Sequence, residues 1–187
     1  MTRQVAIRVL ETRRLTLLPL TLEDAPAIQR LFPSWEMVRL MSAHIPWPYP
    51  DDGALTFVRD LVLPAMARGE AWHWSIRLGE TPEALIGVIS LTLGDDDNRG
   101  FWLAAEQQGK GLMTEAAAAV TRFWFEDLGR NVLRAPKAVG NAASRRISQR
   151  EGMRVVWTGE NDYVSGRGPA ELWEITAEEW RTRPVST

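Results

Sequence analysis

The sequence predicts a single domain of mixed α/β class. Short apolar or alternating runs, typical of strands, precede, separate and follow segments with the apolar periodicity of helices. No internal repeat, low-complexity stretch or linker divides the 187 residues, so we expect one domain over residues 1–187. A chain of this length can bury a sizeable core.

The first half of the chain is predicted to contain three strands and three helices. The strands are the alternating or continuously apolar runs 14–20, 71–78 and 84–93. The helices follow residues that suit an N-cap and carry spaced apolar side chains, over 21–32, 34–41 and 51–67. The loop 42–50 is rich in proline and aromatic residues, and Gly79–Pro82 has the composition of a turn.

The second half is predicted to begin with a strand over 100–104, a glycine-rich turn and an alanine-rich helix. This helix begins at Lys110 and ends at Leu128, because Gly129 suits the left-handed position after a helix. The remaining elements are a strand over 132–138, a helix within 141–152, an antiparallel pair over 154–158 and 171–175, and a last helix after the capping box Thr176–Glu179.

Composition and charge exclude several classes of function. The formal net charge is −2, so nothing favours binding to nucleic acid or to an anionic membrane. The chain has no cysteine, which excludes disulfides, cysteine metal sites and an acyl-cysteine intermediate. The longest apolar run is too short to span a bilayer, and charges interrupt the N-terminal residues, so we expect a soluble cytoplasmic protein. The acidic run 95–98 is typical of a solvated hairpin tip, so we expect no metal.

The stretch from Gln108 to Met113 predicts an anion-binding site. Two glycines allow another molecule to approach the backbone, and the following helix offers free N–H groups and a partial positive charge. A P-loop would need Ser or Thr where Gly111 stands, and a dinucleotide fingerprint would need a third glycine at Thr114. The expected anion is a phosphate or pyrophosphate; the alternative is an ordinary glycine turn before a core helix.

The motif Gln-Gly-Lys-Gly-Leu-Met, residues 108–113, resembles the Gln/Arg-x-x-Gly-x-Gly/Ala loop with which GNAT acetyltransferases bind the pyrophosphate of acetyl-CoA. Met113 departs from that pattern, and this variant resembles the branch that includes the ribosomal-protein N-terminal acetyltransferases. Residues 140–153 resemble the family's Asn-x-x-Ser/Ala…Gly-Phe segment, with Met at the Phe position. Residues 10–20 and 47–50 resemble the family's first strand and first loop, so the resemblance covers nearly the whole chain.

The resemblance implies a GNAT-type fold, which is a mixed, mostly antiparallel sheet with a central splay, flanked by helices. In that family two neighbouring strands part, and the pantetheine arm of CoA enters the gap. Here the strands would be 100–104 and 132–138. Pro136 agrees with a splay, because proline lacks the N–H that a fully paired central strand requires. Either a monomer or a homodimer is compatible with the resemblance.

The resemblance also implies acetyl-CoA as co-substrate and, as acceptor, a protein N-terminus or an amine-bearing small molecule. Without a cysteine, we expect the amine to attack directly in a ternary complex. A free backbone N–H near Leu103 or Ala104 would polarise the thioester carbonyl. The residues expected to contact the cofactor are Leu103, Ala104, Gln108, Gly109, Lys110, Gly111, Leu112, Met113, Thr114, Asn141, Ser144 and Arg146, with Arg145 and Arg150 as alternatives for the 3′-phosphate.

Two catalytic groups are expected, a base and an acid. Glu106 lies just past the strand and would accept the amine proton, although a solvated loop carboxylate is the alternative. His73 is a rival base, or else a strand histidine without a chemical role. Ser148 stands where many family members have a general-acid Tyr, and the ribosomal-protein branch offers Ser144 instead. A serine near a helix start also makes purely local hydrogen bonds.

The acceptor is expected to contact the aromatic loop, a strand histidine and the loop before the last strand, through Trp47, Tyr49, His73 and Tyr163. A second function remains open, which is a CoA-binding module of the same fold without catalysis; the missing Tyr favours it. A nucleotide-binding domain is disfavoured, because the spacings of both phosphate-binding motifs fail.

Overall fold

The computed structural model describes residues 5–183 and shows two antiparallel sheets. The first sheet contains, in spatial order, β1 (Leu10–Glu11), β2 (Leu15–Pro19), β3 (Ala71–Leu78), β4 (Thr81–Thr92) and β5 (Arg99–Leu103). The second contains, in spatial order, β6 (Val132–Ala138), β8 (Gly166–Thr176) and β7 (Arg154–Tyr163). The predicted mixed class with a mostly antiparallel sheet is confirmed.

The described helices are α1 (Ala25–Leu31), α2 (Trp35–Val38), α3 (Gly53–Thr56), α4 (Leu63–Ala67), α5 (Leu112–Arg122), α6 (Ala142–Arg150) and α7 (Ala177–Thr182). A π-helical stretch, Phe57–Val62, joins α3 to α4, and a second one, Phe123–Asp127, extends α5. Gly129, at φ +62°, follows this long helix in the left-handed conformation predicted for it. Within residues 5–183, none of the helices combines the length and the apolar composition that crossing a bilayer requires.

Strand β3 separates two hydrophobic layers, because its side chains alternate between the faces of the sheet. Trp72, Trp74 and Ile76 belong to the cluster on the side of α5 and α6. The other face packs against α1–α4 through a second cluster that includes Val38 and Val58. The helix that follows the glycine-rich loop therefore covers one face of the sheet, and the N-terminal helices cover the other.

Several boundaries differ from the predicted ones for local reasons. Helix α5 begins at Leu112 rather than at Lys110, because Gly111 has φ +75° and is not helical. The third predicted helix has Asp52 rather than Asp51 at its N-cap position. Strand β4 already begins at Thr81, so the turn before it is shorter than predicted.

The hairpin β7–β8 is longer than the predicted pair 154–158 and 171–175, and most of the predicted loop is strand. Its tip is held by backbone hydrogen bonds to the segment after α2. Val164 N donates to the carbonyl of Met41 (3.0 Å), and Ala43 N donates to the carbonyl of Asp162 (3.1 Å). These contacts join residues far apart in the chain, so local sequence patterns did not reveal the extension.

Candidate active site

The glycine-rich loop between β5 and α5 leaves a run of backbone amides without protein partners. Gly109 and Gly111 both have φ +75°, which glycine adopts without steric cost. Among residues 5–183, no hydrogen-bond acceptor is found for the N–H groups from Gly109 to Thr114. They lie at the N-terminus of α5, where the helix dipole also favours negative charge. The loop therefore has the geometry of the predicted diphosphate site.

The turn between β1 and β2 braces this loop from outside. Glu115, in the first turn of α5, accepts hydrogen bonds from Thr12 Oγ1 (2.6 Å), Arg14 N (2.8 Å) and Arg14 Nε (2.7 Å). The Arg14 guanidinium also donates to the carbonyl of Lys110 (2.9 Å). Burial alone would raise the pKa of Glu115, but the hydrogen bonds from Thr12 and Arg14 outweigh it and lower the pKa below its ordinary value. Sequence analysis missed this brace, because its partners are about a hundred residues apart.

Strands β5 and β6 meet at one end and then part. Asn98 N donates to the carbonyl of Arg134 (2.8 Å), and Arg134 N donates to Asn98 Oδ1 (2.8 Å). Beyond this junction, among the described strands, β5 pairs only with β4 and β6 pairs only with β8. The splay that Pro136 suggested is therefore present. Asn98, predicted to lie in a solvated tip, is instead buried, because it makes this junction.

The edge of β5 that faces the gap offers one of the two predicted amide donors. Ala104 N donates to the carbonyl of Ile86 on β4 (2.8 Å), so the N–H of Ala104 is not free. In an antiparallel ladder, the N–H groups of successive residues point to opposite edges of the strand. Because the N–H of Ala104 points to β4, the N–H of Leu103 faces the gap. Gln108 Nε2 donates to the carbonyl of Leu103 (2.9 Å) and so fixes the end of the strand.

The start of α6 combines a capped backbone with a buried hydroxyl. Asn141 Oδ1 accepts the backbone N–H of Ser144 (3.1 Å), as expected of an N-cap. The Ser144 hydroxyl accepts a hydrogen bond from Lys137 Nζ on β6 (2.8 Å). Burial, together with the nearby charge of Arg99, lowers the pKa of Lys137 to about 7. The side chain of Ser144 is therefore hydrogen-bonded to strand β6 rather than to its own helix.

Lys137 was missed by sequence analysis, although its position carried a signal. Leu133, Ala135 and Lys137 alternate on one face of β6, and the first two belong to the main core. A lysine at the third position of such a face is buried here, with 6% of its surface exposed. Buried lysines are rare unless they have a partner, so this one was a candidate functional residue.

Two arginines of α6, Arg145 and Arg146, differ in whether their charge is paired within the protein. Arg145 donates to Glu171 through Nε (2.8 Å) and through a terminal nitrogen (2.9 Å), so its charge is already paired. Arg146 is exposed and has no side-chain partner within the described range. Of these two, Arg146 is the one without a side-chain partner within the described range, and its contact with a phosphate stays a prediction.

The two predicted bases have opposite environments. Glu106 lies in the 3-10 turn Ala105–Gln107 after β5; it is exposed and makes no hydrogen bond or ion pair within residues 5–183. His73 on β3 is 8% exposed, and burial lowers its pKa to about 4, so its ring is neutral at pH 7. His73 pairs with Ser90 of β4, two strands from the gap. Glu106 is therefore the candidate at the end of β5.

Aromatic rings lie on the face of the sheet opposite α5. The Phe32 ring centroid is 5.4 Å from that of Trp102 on β5 and 5.3 Å from that of Tyr49. The Phe57 ring lies 6.3 Å from His73. Tyr49 is thus connected through Phe32 with β5 at the gap, whereas His73 lies two strands from the gap.

The other two predicted acceptor residues occupy different surroundings. Trp47 is 40% exposed, and its ring lies 5.8 Å from that of Trp35. Tyr163 is buried in a small cluster with Ala138 and Ala170, where it helps to hold the β7–β8 hairpin. Within residues 5–183, no group of three His, Asp or Glu side chains is arranged to hold a metal ion.

A family model described as acetyltransferase (GNAT) domain matches residues 14–154, which is more than half of the chain. The chain belongs to the GNAT acetyltransferase family. The matched range includes the 108–113 loop, both strands of the gap and Ser144. The GNAT family and its enzyme class, acetyltransferase, are those predicted from the sequence.

Three similar proteins add detail. The putative ribosomal N-acetyltransferase YdaF of Bacillus subtilis (strain 168) is 40% identical over 99 residues, which are 50% of this chain and 54% of YdaF, so the match spans about half of that relative. A solved structure of RimL, a ribosomal L7/L12 alpha-N-protein acetyltransferase in complex with coenzyme A, has a TM-score of 0.77 at 16% identity over 90% of this chain and 98% of RimL. The microcin C7 self-immunity acetyltransferase MccE, in complex with acetyl-CoA and AMP, has a TM-score of 0.72 at 18% identity over 88% of this chain and 93% of MccE. At these identities both structures show the shared GNAT fold alone.

Proposed function

We propose that this protein transfers the acetyl group of acetyl-CoA to a primary amine, with protein N-termini as the first acceptor class and small-molecule amines as the second. The observation that carries the proposal is the loop of unpartnered amides beside two parting strands. The names of YdaF, a putative ribosomal N-acetyltransferase, and of RimL, a ribosomal L7/L12 alpha-N-protein acetyltransferase, favour a protein N-terminus. The formal net charge of −2 does not favour a nucleic-acid or membrane partner.

The residues around the gap fit CoA. The amides from Gly109 to Thr114 lack acceptors among residues 5–183 and are complementary to phosphate oxygens. Lys110 adds positive charge, and exposed Arg146 would meet the 3′-phosphate. Asn141, Leu112, Met113 and Leu103 would border the rest of the cofactor. When bound, acetyl-CoA supplies an acetyl group activated as a thioester.

The proposed chemistry divides three tasks among three residues of the gap. The N–H of Leu103 donates to the thioester carbonyl oxygen, where negative charge develops. Glu106 accepts the proton of the attacking amine, directly or through a water. Ser144 gives its hydroxyl proton to the departing sulfur. His73 is the second candidate for the base; its ring is neutral, but a pKa of about 4 makes it a weak proton acceptor.

The acceptor would enter from the face opposite α5. Gly100 is exposed on β5, and a Cβ built there would meet only Ser90 Oγ, at 3.3 Å, within a 4 Å radius. The surface of the sheet between His73 on β3 and the gap is therefore open at Gly100. Tyr49 would border this open surface, with Trp47 on the 42–50 loop and Tyr163 at the end of β7 farther from it.

The test of the function is acetyl-CoA consumption, measured as thiol release against N-terminal peptides, amino acids, polyamines and aminoglycosides. We expect thiol release with N-terminal peptides and no isolable acetylated enzyme. Cofactor binding by calorimetry without thiol release for any amine would instead support a CoA-binding module. The exposed, unpartnered state of Glu106 keeps this second function open.

The assignment of the base is tested by Glu106→Gln, with Glu80→Gln as a matched control on the exposed turn between β3 and β4. General-base catalysis typically contributes about a hundredfold or more, so the first variant should lower kcat by that order while CoA affinity stays similar. The control should keep wild-type kinetics. If Glu106→Gln keeps them as well, and His73→Asn does not, the base is His73.

A further inference from the structure

A lysine forms part of the wall of the gap between β5 and β6. Lys137 Nζ donates to Ser144 Oγ (2.8 Å) and lies 5.2 Å from the centroid of the Phe101 ring on β5. Its stem comes from β6 and its amine lies between β5 and the first turn of α6. Lys137 therefore contacts the proposed acid from inside the protein and has no role in the mechanism described so far.

The Ser144 hydroxyl is arranged to give a proton away from its helix. A helical serine commonly donates to the carbonyl one turn earlier, but no such bond forms here within residues 5–183. Asn141 takes the backbone N–H of Ser144, so the hydroxyl is not needed as a cap. With Lys137 donating to Oγ, the hydroxyl hydrogen is left without a protein acceptor in the described range.

The charges facing Lys137 do not form a direct ion pair with it. Arg99 on β5 and Glu151 after α6 are paired with each other (2.6 Å), and both are nearly or fully buried. Asp97, in the turn before β5, is exposed and acts on the lysine only through its charge. Burial and Arg99 consequently outweigh the two carboxylates and hold the pKa of Lys137 at about 7.

The remaining acidic neighbour is Glu171, which stands opposite Lys137 in the β6–β8 register. Its carboxylate accepts hydrogen bonds from Arg145 Nε (2.8 Å) and from Trp173 Nε1 (2.9 Å). Glu171 is therefore engaged by other donors. Ser144 is the hydrogen-bond partner of Lys137 within residues 5–183.

We infer that Lys137 is a positioning residue for the acid step, which holds the Ser144 hydroxyl and replaces the proton that it loses. As the carbon–sulfur bond breaks, the Ser144 Oγ–H bond breaks and a sulfur–hydrogen bond forms. One Lys137 Nζ–H bond then breaks as Oγ–H forms again. The sulfur leaves as a thiol, Ser144 is unchanged, and neutral Lys137 regains its proton from solvent. This inference rests on the proposed function.

The first test does not require activity. The chain has two lysines, Lys110 and Lys137, so lysine labelled with carbon-13 at Cε gives two resonances. Lys110→Arg identifies which is which. We expect the Lys137 resonance to titrate with a midpoint of about 7. A Lys137 resonance that stays constant between about pH 6 and 8 would overturn the inference, because the lysine would not exchange a proton in the working range.

The second test is the pH profile of kcat. Lys137 donates only while protonated, so wild-type activity should decline as pH rises through about 7, even though the acceptor amine becomes more reactive. Lys137→Met should lower kcat about a hundredfold and lose this decline. Lys137→Arg keeps a charged donor but cannot give up a proton, so it should lower kcat as Lys137→Met does and also lose the decline. His44→Asn, the control, changes an exposed histidine of the loop after α2 and should keep the decline.

The outcomes distinguish a failure of the proposed function from a failure of the proposed role of Lys137. Absence of thiol release by wild type with every amine contradicts the proposed function. Thiol release by wild type together with an unchanged pH profile in Lys137→Met contradicts only the role of Lys137. Calorimetric CoA affinity and thermal unfolding of each variant show that a loss of kcat is not a loss of folding or of cofactor binding.

Discussion

Replacing Glu115 with Gln tests whether the brace between the N-terminal hairpin and α5 supports the cofactor loop. The amide oxygen can still accept from Thr12 and from Arg14 N, but the amide nitrogen would face Arg14 Nε as a second donor. The ion pair that is lost has a 2.7 Å contact, with side-chain exposures of 37% for Arg14 and 17% for Glu115. This is intermediate between a surface pair and a buried pair, so we expect a loss of about 2 kcal/mol in unfolding free energy.

Urea unfolding and calorimetric titration with CoA measure the two consequences. For a chain of this length, that loss corresponds to a decrease in Tm of about 4–8 °C. CoA affinity should also fall, because Arg14 no longer fixes the carbonyl of Lys110. The matched control is Asp127→Asn, which breaks the Arg8–Asp127 pair between the N-terminal segment and the end of the same long helix. Arg8 is 56% exposed and Asp127 26%, so we expect the control to cost about 1 kcal/mol or less without changing CoA affinity.

The difference in unfolding free energy between wild type and Glu115→Gln should depend on pH in a defined direction. The pKa of Glu115 is lower in the folded protein than in the unfolded chain, so its contribution is fully present above the ordinary glutamate range. The contribution is lost as pH falls through the folded pKa. The stability difference between wild type and Glu115→Gln should therefore narrow in acid. Equal stability of the two proteins at pH 7, or a greater loss in the Asp127→Asn control, would refute the reasoning.

Three further predictions concern the loop and the core. Gly111→Ala places a side chain at φ +75°, so it should cost about 1–2 kcal/mol and weaken CoA binding, whereas Gly129→Ala, at φ +62°, should cost a similar amount without weakening it. Glu151→Leu leaves the buried charge of Arg99 unpaired and should cost roughly 3–5 kcal/mol in urea unfolding. Gly87→Ala would bring a Cβ to 2.5 Å from a β5 carbonyl oxygen, so it should lower Tm and disturb the edge of the gap.

The parts of the site that could be predicted from sequence depend on local backbone chemistry. Glycines permit the left-handed conformations of the loop, and Asn141 caps α6 as its side chain predicts. Pro136 indicated a strand that is not paired on both edges, and the structure shows the gap there. Each of these properties is set by a residue and its immediate neighbours, so it is visible in a single sequence.

Other features were decided only when distant segments met. Ala104 was one of two predicted amide donors, but its N–H is used in pairing with β4. The hairpin that holds Tyr163 extends because its tip binds the segment after α2. The brace on Glu115 joins residues about a hundred positions apart. Such contacts depend on strand order and register, which no local pattern specifies.

The sequence alone predicted the family and the mixed α/β class, which are confirmed, and a place for a diphosphate, which stays a prediction, because motifs and capping residues act locally. The tertiary structure alone decided which amide is free, which carboxylate holds the loop, and that Lys137 meets Ser144. These outcomes depend on burial and on hydrogen bonds between separate elements, since a lysine acquires a pKa of about 7 only when the rest of the fold removes water from it.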